Sequence, residues 1–361
     1  MSTQTAALDS QVGIIEPTAW RNRTVAIVLA LAICGFFWID SRYPSLLKKY
    51  RAGSHVKVVG VITFDAVYPV DRTMPFPTRV WRTTVNWLHA NEIGMTFGFF
   101  FAAAALTFLA TIPRRRTGNA YLNSLIGVAA GMPLGVCSNC VAPIGRALYA
   151  SGMSTESVLA AMFSSPTLNV VVLAMVFTLF PLAVAAAKMI TVLLMVFVVG
   201  PFLGKQSDRI AETACVPSGP VSTTWREALV STAKMFATSF WKVFKVAAPL
   251  MVIAALLGAV VIELVPPNAL HVAVTLLGIV LVALIGTFLP VPMAFDVVLA
   301  YVAMSGGVPL PYVVVLLCTL GIYSVYSFSV VGKTICWRVA AGAFAGVVVL
   351  GVLAGIVTML S

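Results

Sequence analysis

The sequence predicts an all-α polytopic membrane protein with an inverted repeat and two broken or short helical hairpins at the midplane of the bilayer. Three observations support this fold class: the apolar composition, the long uncharged runs and a weak internal repeat. Of the 361 residues, 60% are hydrophobic and 10% are charged, whereas soluble domains carry about 25% charged residues. Helices are the expected form, because backbone polar groups must be paired inside lipid.

Several apolar runs reach the length of roughly 18–20 residues that a helix needs to cross a bilayer. The predicted spans are 24–41, 92–112, 119–136, 155–180, 184–203, 244–264, 269–289, 310–331 and 335–360. Two shorter apolar segments, 139–151 and 293–304, are too brief for an ordinary crossing and are predicted as half-helices or re-entrant elements.

The polar segments divide these spans into a predicted domain organisation. It comprises a cytoplasmic N-terminal tail (1–23), a first transmembrane helix (24–41), an extracytoplasmic loop (42–91), a first repeat (92–203), a cytoplasmic linker with an amphipathic helix (204–243) and a second repeat (244–361). Within the loop, VKVVGVITF (56–64) is expected to pair as a strand. The amphipathic helix is expected to lie on the membrane surface.

The net charge of +11 comes from basic residues in short segments between apolar runs, a pattern that orients membrane proteins. Three basic groups, at Arg114–Arg116, in the central linker and at Lys333 and Arg338, face the cytoplasm together if both short segments cross the membrane. We expect this crossing arrangement, although it leaves a basic loop outside. No arginine-rich surface is interleaved with base-stacking aromatics, so no nucleic-acid partner is expected.

An internal repeat appears when the sequence is shifted by 155 positions. Gly131 then meets Gly286, Gly152 meets Gly307, and the two short apolar segments coincide. Each half opens with a Trp-Arg run and contains five elements, and an odd number inverts the second half relative to the first. Inverted repeats with broken helices are typical of an inverted-repeat transporter. The competing interpretation is chance similarity between Gly- and Val-rich spans.

The stretch GVCSNCVAP (135–143) puts thiols, an amide and a proline inside an apolar region. Ser138 or Asn139 can cap a short helix that begins inside the bilayer, and its N-terminus carries partial positive charge. Cys137 and Cys140 would gain thiolate character there and suit soft ions such as trivalent arsenic or Cu(I). The alternative is inert packing of both cysteines in a broken-helix turn.

A second interruption, FSSPTLN, follows at residues 163–169. Pro166 frees a backbone carbonyl one turn earlier, which lipid tolerates where the backbone lines a cavity or a neighbouring helix repairs it. Ser164, Ser165, Thr167 and Asn169 are therefore predicted to offer ligands beside the break. A plain proline kink is the competing interpretation.

The corresponding segment of the second half is LPVPMAFD (289–296). Its Asp296 is expected to be the only acid deep inside an apolar segment. A carboxylate in that position is costly and therefore a functional candidate. Asp296 could carry a proton, pair with Arg146 or cap a broken helix. Thr319 and Ser324 occupy the place that SSPTLN holds in the first half, where hydroxyls can also serve only to join helices.

Residues 137–169 resemble the core motif of the predicted permeases that include ArsP-type organoarsenical efflux proteins. The residues that carry the resemblance are Cys137, Ser138, Val141, Pro143, Gly152, Pro166, Leu168 and Asn169. Asn139 stands where the family often has a second thiol, and the loop 42–91 is longer than expected. The resemblance covers about residues 92–361 in layout. It implies a permease that moves a soft metalloid or related small solute outward using the proton gradient.

Together these observations favour a proton-coupled efflux permease, an antiporter that confers metalloid resistance, located in the bacterial cytoplasmic membrane. Cys137 and Cys140 would bind the soft ion as cargo, and Asp296 would couple protons. The expected partners are a small-molecule or ion substrate and the lipid bilayer; homo-oligomerisation stays open. No enzymatic activity and no cofactor are expected. A primary pump is excluded because the sequence contains no P-loop and no soluble nucleotide domain. The alternatives are a membrane thiol-redox subunit, a permease for a sulfur-containing anion, and an assembly subunit.

Overall fold

Fourteen α-helices make up most of the residues that the computed structural model describes, which are 19–44, 67–71, 73–111, 118–150, 152–207, 224–264, 273–291 and 294–360. The first seven are α1 (Ala19–Phe37), α2 (Phe76–Leu109), α3 (Ala120–Gly131), α4 (Ser138–Ala150), α5 (Thr155–Thr167), α6 (Val170–Leu179) and α7 (Leu182–Leu194). The others are α8 (Gly200–Ser207), α9 (Trp225–Leu264), α10 (Leu276–Phe288), α11 (Phe295–Ser305), α12 (Leu310–Thr319), α13 (Val325–Thr334) and α14 (Trp337–Leu360). This confirms the all-α fold class for the described part of the chain.

Several helices are long and apolar enough to cross a membrane, which confirms a multi-pass protein. Four single spans are Trp20–Asp40, Leu182–Ser207, Trp225–Val260 and Trp337–Leu360. The second of these runs through α7, a π-helical turn and α8 without a break. Helices α5 and α6 form a further span that bends by 50° at the SSPTLN motif, as the proline predicts.

Two expectations outside the spans differ from the structure. The predicted surface helix of the linker is instead the first half of α9, which continues to Leu264 without interruption. Phe244 of this segment packs on Phe99 of α2, whereas Leu229, Val230 and Trp241 are exposed. The predicted loop 42–91 is helical from Phe76 onward. The predicted strand 56–64 and the N-terminal residues 1–18 lie outside the described residues.

Helices α3 and α4 form a hairpin that returns to the end of the molecule where it began. A 3₁₀ turn and Gly135, which has a φ of 54°, reverse the chain at the tip. Helix α3 runs parallel to α5, since Asn123 contacts Glu156 near the start of both helices, and Gly131 packs on Ala161 further along. Helix α4 therefore does not cross the bundle by itself, in contrast to the expected crossing.

The hairpin of α10 and α11 opens toward the opposite end of the bundle. The end of the bundle where α8 finishes is called the α8 end. Helix α5 also starts there, since Ser207 of α8 contacts Thr155 of α5. The α7 end is where α7 begins; Phe180, just before α7, packs on Tyr301 of α11. The first hairpin thus opens at the α8 end and the second at the α7 end.

The helices of the two halves follow one another in the same order. Helices α5, α6 and α7 begin at Thr155, Val170 and Leu182, and helices α12, α13 and α14 each begin 155 residues later. The turns that follow α4 and α11 each contain a glycine with positive φ, at Gly152 and Gly307. An inverted two-fold relation between the halves stays a prediction.

Candidate functional site

The tips of both hairpins, the break between α5 and α6 and the turn between α12 and α13 meet around one narrow cavity. Its lining residues are Cys137, Ser138, Pro166, Val291, Ala294, Asp296 and Gly321. Four of the residues that the sequence predicted for a shared site therefore surround the same space: Cys137 and Ser138 of the first hairpin, the proline of the first broken span and the acid of the second hairpin. They lie far apart along the chain, and the fold brings them together.

The two cysteines of the CSNC motif are paired as a disulfide at the first turn of α4. Their Cα atoms are 5.2 Å apart, and the Cys140 backbone N–H donates to the Cys137 Sγ at 3.2 Å. Both side chains are buried. Ser138 lies between them on the cavity wall, and its buried hydroxyl has no hydrogen-bond partner among the described residues. This hydroxyl is a polar group available to a ligand.

Asn139 joins the first hairpin to the second half of the chain. Its Nδ2 donates to the Val291 carbonyl at 3.3 Å, and its Oδ1 accepts from the Ser324 hydroxyl at 2.7 Å. Ser327 donates to the Ser138 carbonyl at 2.8 Å beside this contact. Asn139 and Ser324 are completely buried. The predicted polar residues of both halves thus bond to each other behind the cavity wall.

Two side chains near Pro166 hold the break between α5 and α6. Asn169 caps α6, since its Oδ1 accepts from the Val172 N–H at 3.1 Å, and its Nδ2 donates to the Ser165 carbonyl at 2.8 Å. The Ser165 hydroxyl accepts from the Val136 N–H at 3.3 Å and so ties the break to the tip of the first hairpin. The proline interrupts the helix, and these bonds satisfy the freed backbone groups.

Three predicted hydroxyls bond within their own helices and do not line the cavity. Thr167 donates to the Phe163 carbonyl at 2.5 Å, and Thr319 donates to the Val315 carbonyl at 2.7 Å. Ser164 donates to the Ala161 carbonyl at 3.4 Å and packs close to Gly131. These contacts match the interpretation in which such hydroxyls join helices.

Asp296 forms a buried ion pair with Lys188 of α7. The Lys188 Nζ also donates to the Leu317 carbonyl at 3.0 Å, and both charged side chains are nearly inaccessible. Asp296 stands in the first turn of α11, where the helix dipole favours a negative charge. Its cation is therefore Lys188 and not Arg146, the partner that sequence reasoning had considered.

Lys188 was missed because sequence reasoning took the basic residues as orientation signals in loops. The signal was present, since LAVAAAKMITVLL contains one lysine inside an otherwise apolar run. An ionisable residue at that depth is a functional candidate for the same reason that Asp296 is.

Gly321 allows the turn between α12 and α13 to approach the ion pair. Its φ is 77°, a conformation that residues with a Cβ rarely adopt. A Cβ on Gly321 would lie 3.1 Å from the Asp296 Cγ. Glycine at this position therefore provides both the turn and the space beside the carboxylate.

Four helices begin at or beside the cavity, and their N-termini carry partial positive charge. They are α4 at Ser138, α6 after Asn169, α11 at Phe295 and α13 after Ser324. Unpaired N–H groups at such ends bind anions or electron-rich groups. The Lys188 ammonium adds a further positive charge beside the cavity. Asp296 supplies the negative charge that faces these positive groups.

A sequence model of a family described as predicted permease, ArsP_1, matches residues 92–360. The chain belongs to this predicted permease family. The matched range begins within α2, includes every residue of the cavity and extends to the end of α14. It confirms the family resemblance that the CSNC and SSPTLN motifs carry. No curated protein and no solved structure matches the chain significantly.

This ArsP_1-family permease contains a second buried acid that the sequence did not single out. Glu156 is 4% exposed at the start of α5, so Asp296 is not the only deeply buried carboxylate. Its position in STESVLAAM is typical of an acidic first turn of a helix. Nothing in the local pattern indicates that α3 and α8 cover it.

Proposed function

We propose that this permease exports a thiophilic small solute, such as a trivalent organoarsenical or another soft metalloid or metal, in exchange for protons. The observation that carries the proposal is that Cys137 and Asp296 line one cavity where two interrupted hairpins meet. A soft donor and a titratable group around the same space let cargo binding and proton binding influence each other. Broken helices that meet around a central site are the usual binding architecture of secondary transporters.

The cysteine pair is the proposed cargo ligand in its reduced form. Trivalent arsenic and similar soft ions prefer sulfur to oxygen or nitrogen. Cys137 and Cys140 lie on one helical turn with Cα atoms 5.2 Å apart, so both thiolates can reach one ion. The free Ser138 hydroxyl on the same wall can then contact an oxygen or hydroxyl of the cargo. The metalloid ion is cargo in this proposal and not a resident cofactor.

The ion pair is the proposed coupling element. Breaking a buried pair leaves an uncompensated charge and costs about 3–5 kcal/mol. A proton that binds Asp296 neutralises the carboxylate and releases the Lys188 ammonium. Because Lys188 belongs to α7 and Asp296 to the second hairpin, this step loosens the hairpin from its neighbour. Protonation thereby changes the cavity wall that the cargo contacts.

Access to the cavity requires the hairpin tips to separate. Among the bonds that hold the tips in place are those of Asn139 to Val291 and Ser324, together with that of the Trp87 indole N–H, which donates to the Pro290 carbonyl at 2.6 Å. Each is a single hydrogen bond that contributes about 1 kcal/mol net. The closed arrangement is therefore held by a few contacts that a rocking motion of one half can exchange.

The experiment measures uptake of a trivalent methylarsenical into everted membrane vesicles. The double variant Cys137→Ser/Cys140→Ser should lose accumulation, and Cys34→Ser, which changes a thiol outside the cavity, should retain it. Arsenical accumulation by the double variant at the wild-type rate would overturn the cargo assignment.

Proton coupling is tested in proteoliposomes that contain a pH-sensitive dye. Arsenical movement should drive proton countermovement with the wild-type chain, and Asp296→Asn should abolish it. Asp296→Glu, which keeps the titratable group, should retain part of it. Unchanged proton movement with Asp296→Asn would show that coupling resides elsewhere.

A second candidate function is a membrane thiol-redox subunit, which the Cys137–Cys140 disulfide favours. A dithiol that reduces a partner disulfide or quinone becomes oxidised and gives up two electrons and two protons. Thiol trapping of the chain in membranes, with and without added quinone, tests this function. Redox turnover that depends on both cysteines, in vesicles that move no arsenical, would favour this candidate over transport.

A further inference from the structure

The carboxylate of Glu156 is buried, and only one of its oxygens has a hydrogen-bond partner. Oε1 accepts from the Asn123 Nδ2 at 2.7 Å. Oε2 is inaccessible and has no hydrogen-bond partner among the described residues. An unsatisfied oxygen of a buried carboxylate is expensive and points to a missing ligand.

Oxygen-bearing side chains neighbour Asn123 and Glu156 in sequence where α3, α5 and α8 meet. The Ser157 hydroxyl donates to the Asn123 carbonyl at 2.7 Å, and the Thr155 hydroxyl donates to the Ser207 hydroxyl at 3.0 Å. Ser124 follows Asn123 on α3, and its buried hydroxyl also has no partner among the described residues. The cluster therefore holds unused oxygens besides Glu156 Oε2.

Gly204 of α8 gives the carboxylate its space. A Cβ on this glycine would lie 2.5 Å from Glu156 Oε2, so any larger residue would displace the carboxylate. Helix α8 thus closes over the second oxygen without offering it a donor.

No cation within the described part of the chain balances Glu156. The charged groups on the elements packed around it are Arg146 on α4, which is half-buried, and Lys205 on α8 and Arg338 on α14, which are exposed; none of them forms an ion pair with Glu156. The two other buried or half-buried acids of the bundle are paired, Asp296 with Lys188 and Glu263 with Arg79. The dipole of α5 stabilises the carboxylate by much less than the burial of an unpaired ion costs.

The position of the cluster separates it from the cavity. Glu156 precedes Pro166 by ten residues on α5, a rise of about 15 Å along the helix. Ser207 closes the cluster at the last residue of the span Leu182–Ser207. Glu156 therefore lies at the α8 end, whereas Asp296 lies at the hairpin tips.

We propose that Glu156 and the surrounding oxygens form a binding site for a monovalent cation, a proton or Na⁺, at the α8 end of the permease. The cation neutralises the carboxylate and occupies Oε2, and the hydroxyls of the cluster supply the remaining oxygen contacts. This site is a second binding site for the coupling ion, separate from Asp296. This role in coupling rests on the proposed transport function, but cation binding itself does not.

Carbodiimide labelling of the full-length chain in detergent, followed by peptide mass spectrometry, tests cation binding without any cargo. Dicyclohexylcarbodiimide modifies protonated carboxyls in apolar surroundings, so Glu156 should be labelled in Na⁺-free buffer. Loss of labelling as Na⁺ rises at constant pH identifies Na⁺, and a response to pH alone identifies the proton. Glu263, whose carboxylate is paired with Arg79, is the matched control and should stay unlabelled. Absence of label on Glu156 at every pH in Na⁺-free buffer would overturn the proposal.

A flux measurement separates this site from the proposed function. Glu156→Gln keeps the shape of the side chain and an oxygen that can accept from Asn123. Its neutral amide carries no negative charge for a cation to balance. The variant should lower the number of cations moved per cargo molecule while leaving cargo exchange between equal concentrations intact. Unchanged stoichiometry would overturn the coupling role even if Glu156 is labelled. If the cysteine variants show that the cargo is not thiophilic, the labelling experiment still tests whether Glu156 binds a cation, because it uses no cargo.

Discussion

The two hairpin tips share a backbone design but differ in chemistry. Each tip contains a residue in the left-handed region, Gly135 with a φ of 54° and Ala294 with a φ of 63°, and each leads into a short helix that begins at the cavity. The first tip presents sulfur and hydroxyl groups to the cavity, whereas the second presents a carboxylate. The shared backbone creates a polar site between the halves, and under the proposed function the different side chains would let one tip bind cargo and the other bind a proton.

The tips also differ in how their polar groups are satisfied. Asn139 of the first tip bonds to neutral groups of the second half, whereas Asp296 of the second tip needs the charge of Lys188 from a helix outside both hairpins. Removing a neutral bond costs less than exposing a buried charge. Substitutions at the second tip should therefore have the larger effects.

The largest effect is expected from Lys188→Met. The variant leaves the Asp296 carboxylate buried without a cation, which should lower the free energy of unfolding by about 3–5 kcal/mol. Chemical unfolding in detergent measures this loss, and the exposed Lys205→Met serves as the control with little change expected. Lys188→Met combined with Asp296→Asn should recover much of the stability but no proton-coupled flux. If the double variant is as unstable as Lys188→Met, the loss came from packing and not from charge.

A smaller loss is expected when the contact of the first tip is removed by Ser324→Ala. This change deletes the donor to Asn139 Oδ1 and the N-cap of α13, so the free energy of unfolding should fall by about 1–2 kcal/mol. Ser329→Ala on the same helix is matched, since that hydroxyl bonds only to the Val325 carbonyl. Equal losses for both serines, measured by the same unfolding assay, would show that the contact between the halves adds nothing.

A pair of glycine variants distinguishes backbone strain from contact with the ion pair. Gly321→Ala and Gly307→Ala both place a Cβ at positive φ, and each should cost about 1 kcal/mol. Only at Gly321 does the new Cβ meet Asp296; at Gly307 nothing lies within 4 Å. Transport should fall with Gly321→Ala and persist with Gly307→Ala at similar thermal stability. Equal transport by the two variants would argue against a role for the space beside Asp296.

The smallest effect is expected from Thr167→Val. The hydroxyl bonds to the Phe163 carbonyl of its own helix, so its removal should change stability by roughly 0.5 kcal/mol or less and leave cargo affinity unchanged. Uptake at several cargo concentrations provides the measurement. A marked rise in KM would restore Thr167 as a cargo ligand, the role that the sequence predicted for it.

The sequence predicted the breaks well because their cause is local. Cys-Ser-Asn stands where α4 begins, and Ser-Ser-Pro followed by an asparagine cap stands where α5 ends and α6 begins. It did not predict the partner of Asp296, because Lys188 is 108 positions away and only the packing of α7 on the second hairpin brings them together. Likewise, periodicity gave the first half of α9 an apolar face but could not say that α2 packs beside it at Phe244. The burial of Glu156 depends on α8 in the same way.

The Asn139 contact has a consequence for the biosynthesis of the protein. When the ribosome has completed only the first half, the Asn139 amide has neither the Val291 carbonyl nor the Ser324 hydroxyl to bond, since both are still to be made. A polar group without a partner in hydrocarbon is costly, so the nascent first half is left with an unsatisfied tip within the membrane. The insertion machinery or a chaperone must shelter this tip until the second half arrives, and a chain that ends after α8 should be degraded rather than accumulate.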